Sequence, residues 1–273
     1  MVEAPAVSDM VEQPDFTGVA AEYAASRPSY PSELFEWLAS LVRRRDAAWD
    51  AATGNGQAAV GLAGHFAHVV ATDRSAGQIG HGMRHPRIEY RVAQAEESGL
   101  APDSIDLVVV ATAIHWLDLA RFYQEARRVI RAGGALAAWT YHVAHVGPPL
   151  DKVLRPFYEE VVGPHFAAGA RMVDARYEGL SLPGEPLAAP SFRVSVRWNA
   201  DQALRFVRTW SGVQSYMAVT HKDPVREIEG SVREALGGGD SSVELSWPLY
   251  VRAARLWKPD ADSQPQHGGN EGT

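Results

Sequence analysis

The sequence predicts an α/β protein with a doubly wound parallel sheet. Short apolar runs alternate with segments of helical spacing over the first half of the chain, and this order is typical of consecutive β-α-β units. The connections are short, which places successive strands side by side. A glycine-rich turn from Gly54 to Gly56 follows the first apolar run, at the position where such sheets bind nucleotide-like ligands.

Length and composition narrow the class of protein. The 273 residues suffice for one large α/β domain or for a core domain with a smaller cap. Hydrophobic residues make up 46% and charged residues 22%, as in ordinary globular proteins. The formal charge of -7 argues against a nonspecific binder of nucleic-acid backbones. Because the chain has no cysteine, disulfides, thiolate metal sites and a cysteine nucleophile are excluded.

The sequence shows no targeting signal. It contains no run of about 18 apolar residues, so we expect no membrane-spanning helix and no membrane partner. Residues 1–16 are acidic and lack the basic-then-apolar pattern of a signal peptide. We therefore expect a cytoplasmic protein. Residues 1–14 are expected to be flexible, and the polar stretch 259–273 is expected to be disordered.

The elements of the first half follow from apolar spacing and from helix-start signals. Leu34, Phe35 and Leu38 lie at helical spacing after Pro31, a residue common at helix starts. The segment after the glycine turn is rich in alanine, which permits close packing on a sheet. The predicted elements are helix 32–41, strand 47–51, helix 57–66, strand 69–72, helix 76–83, strand 88–92, strand 106–111, helix 119–130 ending near Gly133-Gly134, and strand 135–141.

The pattern changes after Tyr141. Alternation of apolar and polar residues over 191–198 indicates a half-buried strand. We expect a cofactor-binding core over 15–141, and over 142–258 a substrate cap together with the last strands of the sheet. The remaining predicted elements are helix 148–166, an irregular segment to Pro190, helix 200–210, helix 223–236 and a last strand over 242–253.

The strand ends around the glycine turn indicate which cofactor is bound. The pattern G-x-G-x-x-A is by itself a weak dinucleotide signal. Asp50, four residues before Gly54, would repel a pyrophosphate at this turn but attract an ammonium group. Asp73 ends the second strand, where an acid can accept ribose hydroxyls. Residues 94–96 follow the third strand and can read an adenine. S-adenosylmethionine has this amine, ribose and adenine, and no phosphate.

The chain resembles the class I S-adenosylmethionine-dependent methyltransferases of the type 11 group, and within it the trans-aconitate methyltransferase branch. The resemblance covers about residues 16–255 and implies a Rossmann-like, seven-stranded methyltransferase sheet with a helical cap inserted after the fifth strand. Ala52 stands at the first loop position, where the family usually has glycine, and we expect its methyl group to require a negative φ. Gln94 stands where many relatives carry an acid. The matching residues are Tyr23, Arg27 to Pro31, Asp50 to Gln57, Ala71 to Asp73, Ala93 to Glu96, His115-Trp116, Phe122-Tyr123, Glu125 to Val129, Gly133-Gly134, Thr209 to Ser211 and Tyr216.

The resemblance also implies site residues. His115 is the candidate base because the ordinary pKa of histidine lies near neutrality; a carboxylate acceptor would need no base. Arg27 can bind either the methionine carboxylate or an acceptor carboxylate. The expected cofactor contacts are Tyr23, Arg27, Asp50, Ala52, Gly54, Asn55, Gly56, Gln57, Asp73, Arg74, Gln94, Ala95, Glu96 and Ala111. The expected acceptor contacts are His115, Trp116, Tyr141, Trp210 and Tyr216.

Several alternatives stay open at this point. His115 and Trp116 can equally be a packed core pair, and Trp210 is more typical of a core residue. The glycine pattern is compatible with an NAD(P)-dependent oxidoreductase, and Ala52 and Gln94 with a binding protein that has lost turnover. His142 and His145 lie three residues apart without an acid cluster nearby in the sequence, so no metal site is predicted. The expected partner is a small-molecule acceptor, not nucleic acid, with the protein a monomer or homodimer.

Overall fold

The computed structural model describes residues 27–238 and 241–256, and it confirms the α/β class. The helices are α1 (Ser32–Ser40), α2 (Gln57–Ala63), α3 (Ala76–Gly80), α4 (Leu119–Val129), α5 (Asp151–Pro156), α6 (Ala170–Asp174), α7 (Ala200–Arg208), α8 (Ser211–Thr220) and α9 (Val225–Ala235). The strands are β1 (Ala47–Ala51), β2 (His68–Asp73), β3 (Ile88–Val92), β4 (Ile105–Ala111), β5 (Ile130–Thr140), β6 (Glu185–Leu187), β7 (Phe192–Trp198) and β8 (Val243–Arg255).

One sheet organises these elements, in the order β3-β2-β1-β4-β5-β8-β6, with β7 paired to β8. Strands β1 to β5 pair in parallel, as predicted, and β8 runs antiparallel to its neighbours. The described residues form eight strands where seven are expected. The difference arises because β8 has 13 residues, so one half pairs with β7 and the other half pairs with both β5 and β6.

The topology places β1 at the centre of the parallel part. Asp50 on β1 pairs with Ala71 on β2 and with Val109 on β4. The chain winds outward in both directions from β1, so its carboxyl end lies at a switch point where open α/β sheets bind ligands. All strand residues from Ile105 to Val110 are buried, because helices cover both faces of the sheet.

Several predicted helices end earlier in the structure, with α2, α3 and α7 stopping two or three residues before their predicted ends. The helix predicted over 148–166 is wrong: α5 ends at Pro156, and a π-helical turn (Phe157–Val161) and a 3-10 turn (Gly163–His165) follow it. Proline lacks the N–H that a regular helix needs, which accounts for the break. Gly133 and Gly134 do not end α4. They lie within β5, where the register shifts between Ile105 and Leu107 of β4, as at a bulge.

The segment between β5 and β8, residues 141–242, is called the insert, and its residues 239–240 lie outside the described part. It contains α5 to α9 with β6 and β7. Among the described residues, no helix is both long and apolar enough to cross a bilayer. The predicted ends of the chain, 1–14 and 259–273, lie outside the described residues. The division into a core over 15–141 and a cap over 142–258 stays a prediction.

Candidate functional site

The glycine turn joins β1 to α2 through three residues with positive φ. These are Ala52 at 54°, Gly54 at 58° and Gly56 at 90°. A side chain at Gly56 would also meet Tyr90, since a Cβ built there would lie 2.0 Å from the Tyr90 Oη. Both the backbone angle and this close approach therefore require glycine at position 56.

Ala52 adopts a left-handed conformation that alanine disfavours. The expectation that a methyl group here requires a negative φ is wrong, since φ is 54°. The left-handed conformation costs an L-residue roughly 1–2 kcal/mol relative to glycine. This conformational cost lowers the stability of the folded protein.

Asp50 presents an unpaired buried oxygen at the end of β1. Its side chain is fully buried, and Oδ2 accepts a hydrogen bond of 2.5 Å from Thr53 Oγ1. Oδ1 has no hydrogen-bond partner of ordinary geometry in the described part of the chain. Burial raises the pKa of this carboxyl to about 7, against the smaller lowering effects of the Thr53 hydroxyl and the Ala59 amide. A cationic group at Oδ1 would relieve the unfavourable burial of the charge.

Asp73 presents an oriented carboxylate at the end of β2. Oδ2 accepts from the Gly54 amide at 2.9 Å, and Oδ1 accepts from the Ser75 amide at 2.8 Å. The side chain therefore lies beside the glycine turn. Ser75 in turn caps α3, because its side-chain hydroxyl accepts from the Gln78 amide. The neighbouring Arg74 is exposed.

Gln78 is a polar residue of this site that the sequence did not reveal. It is buried on α3, and its Oε1 has no partner among the described residues. This oxygen lies 3.9 Å from the position of a Cβ built on Gly54. Beside the glycine turn, the described residues thus leave two buried acceptor oxygens, on Asp50 and Gln78, without a donor of ordinary hydrogen-bond geometry. Together with the Asp73 carboxylate they suit a ligand that carries an ammonium and hydroxyl groups.

The loop after β3 lies near the start of α4. Gln94 is exposed, Ala95 is buried, and the Glu96 carboxylate accepts from the Asp118 amide at 2.9 Å. Glu125 holds this loop, because its carboxylate accepts from the Ser98 amide at 2.9 Å. Glu96 therefore contacts the start of α4. Of the three residues expected to bind the adenine, Gln94 and Ala95 remain available to it.

His115 and Trp116 form a 3-10 turn beyond Ala111 at the end of β4. Their rings lie 4.8 Å apart, and His115 Nδ1 lies 2.9 Å from the Tyr177 hydroxyl in the insert. Burial lowers the pKa of His115 to about 4. The near-neutral pKa expected from the sequence is therefore wrong, because desolvation disfavours the imidazolium. The imidazole is neutral at pH 7 and is a weak base.

Arg27 reaches towards the insert. Its Nη1 donates to the Tyr141 hydroxyl and its Nη2 to the Thr209 carbonyl, each at 3.2 Å. The guanidinium carbon lies 5.2 Å from the centre of the Phe206 ring. The Arg27 carbonyl accepts from Gln57 Nε2 at 3.2 Å. The segment before α1 thus connects the glycine turn, through its backbone, with the insert, through its side chain.

The other expected acceptor contacts divide into two groups. Trp210 is buried, packs against Phe206 and Tyr158, and leaves its indole N–H without a partner in the residues described. Tyr216 instead lies with its ring 4.9 Å from that of His165.

Two of the expected cofactor contacts remain. Tyr23 lies outside the described residues. Asn55, also expected to bind the cofactor, is buried, and its main-chain carbonyl accepts from the Met83 amide.

The histidines at the exit of β5 have an acidic neighbour that is distant in sequence. His142 stacks on His145 at 4.1 Å, and its Nε2 lies 3.3 Å from Asp174 Oδ1. Within the described ranges, no group of three or more histidine or acidic residues could hold a metal ion. Asp174 also accepts from the Tyr158 hydroxyl at 2.7 Å.

Comparisons with known proteins find similarity to methyltransferases. A family model described as a methyltransferase domain matches residues 49–138. A solved structure from Anaeromyxobacter dehalogenans, assigned as a type II methyltransferase, is 39% identical with a TM-score of 0.77, and the match covers 85% of this chain and 99% of that one. A Dictyostelium discoideum protein assigned as a methyltransferase is 28% identical over 86% of this chain and 92% of its own length.

A Mycobacterium tuberculosis methyltransferase of uncharacterised role is 36% identical over 44% of this chain and 49% of its own length.

The chain belongs to the class I S-adenosylmethionine-dependent methyltransferases. It is therefore an enzyme whose cofactor is S-adenosylmethionine, and the oxidoreductase alternative is wrong. The residues around the glycine turn fit this cofactor, since the unpaired oxygen of Asp50 suits its ammonium group. The trans-aconitate branch stays a prediction.

Replacing Asp50 by asparagine is expected to change stability and cofactor affinity in opposite directions. The folded pKa of about 7 exceeds the unfolded value of 3.8, so the unfolded chain loses its proton first and stability falls as pH rises between these values. At pH 8 the Asp50→Asn variant should gain on the order of 2 kcal/mol in unfolding free energy without cofactor. Its affinity for S-adenosylhomocysteine should fall about 10–100-fold.

Chemical denaturation and calorimetric titration measure the two effects, with the exposed Asp201→Asn as the control. Unchanged affinity in Asp50→Asn would contradict the assignment of Asp50 to the cofactor site.

Replacing Ala52 by glycine is expected to stabilise the protein by up to about 1 kcal/mol. Glycine removes the left-handed penalty, and its greater freedom in the unfolded chain offsets part of the gain. The matched control is Ala58→Gly, which places the same change inside α2 and should destabilise the protein by about 1 kcal/mol or more. Thermal and urea unfolding report both variants, and a loss of stability in Ala52→Gly would refute this reading of the turn.

Proposed function

We propose that the enzyme transfers the methyl group of S-adenosylmethionine to a carboxylate oxygen of a small-molecule acceptor. The observation that carries this proposal is the position of Arg27, whose guanidinium lies between the Tyr141 hydroxyl, the Thr209 carbonyl and the Phe206 ring. A guanidinium beside a hydroxyl and aromatic rings suits a carboxylate on a partly apolar molecule. The resemblance to the trans-aconitate methyltransferase branch supports the same class of acceptor.

The cofactor lies, in this proposal, along the carboxyl ends of β1 and β2. Asp50 receives its ammonium group, Asp73 its ribose hydroxyls, and Gln94 with Ala95 its adenine. Gly54 and Gly56 allow the backbone to approach it closely. Gln78 contributes a further acceptor oxygen beside Gly54.

S-adenosylmethionine supplies a methyl group that its positive sulfur already activates, so the protein mainly has to align the acceptor and exclude water. Such positioning can contribute about 7–11 kcal/mol in favourable cases. A carboxylate acceptor needs no deprotonation at pH 7. An alcohol acceptor would need a base, and burial leaves His115 with a pKa of about 4, too low for an effective base near pH 7. The weak basicity of His115 therefore supports a carboxylate acceptor.

We propose two buried indole groups as further donors to the acceptor. Trp139 and Trp210 are each at most 1% exposed, and neither indole N–H has a partner in the described residues. The Trp139 ring packs edge-on against Tyr30 at 5.4 Å, and Tyr30 lies three residues after Arg27. Trp210 directly follows Thr209, whose carbonyl accepts from Arg27. Buried N–H groups are normally paired, so these two donors suit acceptor oxygens. His115, Trp116 and Tyr216 complete the proposed acceptor contacts.

Monomer or homodimer, the absence of a nucleic-acid partner and the cytoplasmic location stay predictions from the sequence. The insert, by covering the acceptor, is proposed to set selectivity.

The acceptor class is tested by assaying the enzyme with a panel of small acids, amines and alcohols. Release of S-adenosylhomocysteine is the measure of activity. Methyl esters are the expected products. With the best acid, Arg27→Gln should raise KM about 10–100-fold, because a charged hydrogen-bonded pair is lost, and should leave the Kd for S-adenosylhomocysteine within about threefold. Arg226→Gln, at a position with an 82% exposed side chain, is the control. Methylation of amines or alcohols alone would refute the proposal. A rise in the Kd alone would place Arg27 at the methionine carboxylate.

A further inference from the structure

The end of α6 leads into a backbone conformation that bulky residues rarely adopt. Arg176 and Tyr177 follow one another with φ of 54° and 56°, both in the left-handed region. Tyr177 is held there because its amide donates to the Met172 carbonyl at 2.9 Å and its carbonyl accepts from Arg252 Nε at 2.9 Å. Strained residues that the surroundings fix in this way are frequent at functional sites.

This conformation buries the Tyr177 phenol against His115. The tyrosine is 1% exposed, and its hydroxyl lies 2.9 Å from His115 Nδ1. Burial raises the pKa of the Tyr177 phenol above its usual range, so the hydroxyl keeps its proton at working pH. A buried hydroxyl proton requires an acceptor. The Thr140 hydroxyl also hydrogen-bonds the Tyr177 phenol. An imidazole nitrogen is a better acceptor than a hydroxyl oxygen, which favours donation from Tyr177 to His115 and leaves the phenol oxygen to accept from Thr140.

A second contact brings α6 close to the same turn. A Cβ built on Gly169, just before α6, would lie 2.2 Å from the His115 carbonyl oxygen. Only glycine permits this approach of the insert to the 3-10 turn at His115. The segment from Gly169 to Tyr177 therefore contacts His115 through both its backbone and its side chain.

We propose that Tyr177 is a positioning residue that fixes the orientation of His115 and holds it as the tautomer with the proton on Nε2. His115 then offers the acceptor a hydrogen-bond donor and not a base. This inference rests on the proposed function in one respect, namely that His115 lines the acceptor pocket. The tautomer itself depends only on the contact between Tyr177 and His115, so it can be measured without cofactor or acceptor.

The direct test is ¹⁵N NMR of the full chain labelled at histidine, with the His115 signals identified by their loss in His115→Gln. We expect His115 to show a protonated Nε2 and an accepting Nδ1 from pH 6 to pH 8. In Tyr177→Phe the nitrogen shifts should move towards a mixture of tautomers. Tyr158→Phe is the matched control, since it removes a buried 2.7 Å hydrogen bond to Asp174 in the same insert and should leave the His115 shifts unchanged.

A protonated Nδ1 or averaged shifts in the unmodified enzyme would overturn the proposal, and this readout stands even if Tyr177→Phe does not fold. Unchanged His115 shifts in a folded Tyr177→Phe would also overturn it. Kinetics give a separate readout: kcat should fall up to about tenfold in Tyr177→Phe, as for the loss of one neutral hydrogen bond, with the Kd for S-adenosylhomocysteine unchanged. Failure of carboxylate methylation with the expected NMR pattern would refute the proposed function alone.

Discussion

The site depends on a buried carboxylate of which the described residues hydrogen-bond only one oxygen in ordinary geometry. Asp50 is fully buried at the centre of the parallel sheet, with Thr53 on one oxygen and no partner of ordinary geometry on the other among the residues described. An unpaired buried charge is unfavourable, and the raised pKa of this group is the direct consequence. In the proposed site, the ammonium group of the cofactor would offset this unfavourable burial and so contribute to the binding free energy.

The rest of the site extends outward from this carboxylate. Asp73 is oriented by the Gly54 amide, so the glycine turn and the end of β2 form one unit. Gln57 at the start of α2 binds the Arg27 carbonyl, while the Arg27 side chain reaches Tyr141 and Thr209. A short segment thus connects the glycine turn with the proposed acceptor side. On the opposite side, Tyr177 connects the insert to His115.

Sequence patterns were sufficient for the parallel strands and insufficient for the insert. Strands β1 to β5 are apolar runs flanked by turn residues, so their bounds are predicted to within a few residues, except for β5, which begins at Ile130 because its first residues form a bulge. Helices α6 and α8 were not predicted, since α6 has only five residues and α8 (SGVQSYMAVT) lacks a clear apolar stripe. The His115–Tyr177 contact spans 62 positions in the chain. Such a contact and the burial that lowers the His115 pKa arise only from tertiary packing.

The most direct measurement is the proton balance of ligand binding, obtained by titrating S-adenosylhomocysteine at pH 6 in buffers of different ionisation enthalpy. In the free protein Asp50 has a pKa of about 7 and is mostly protonated at pH 6, whereas a bound ammonium group favours the carboxylate. The unmodified enzyme should therefore release close to one proton for each ligand bound, and Asp50→Asn should release close to none. Binding without proton release in the unmodified enzyme, or equal release in both proteins, would contradict the assignment of the ammonium group to Asp50.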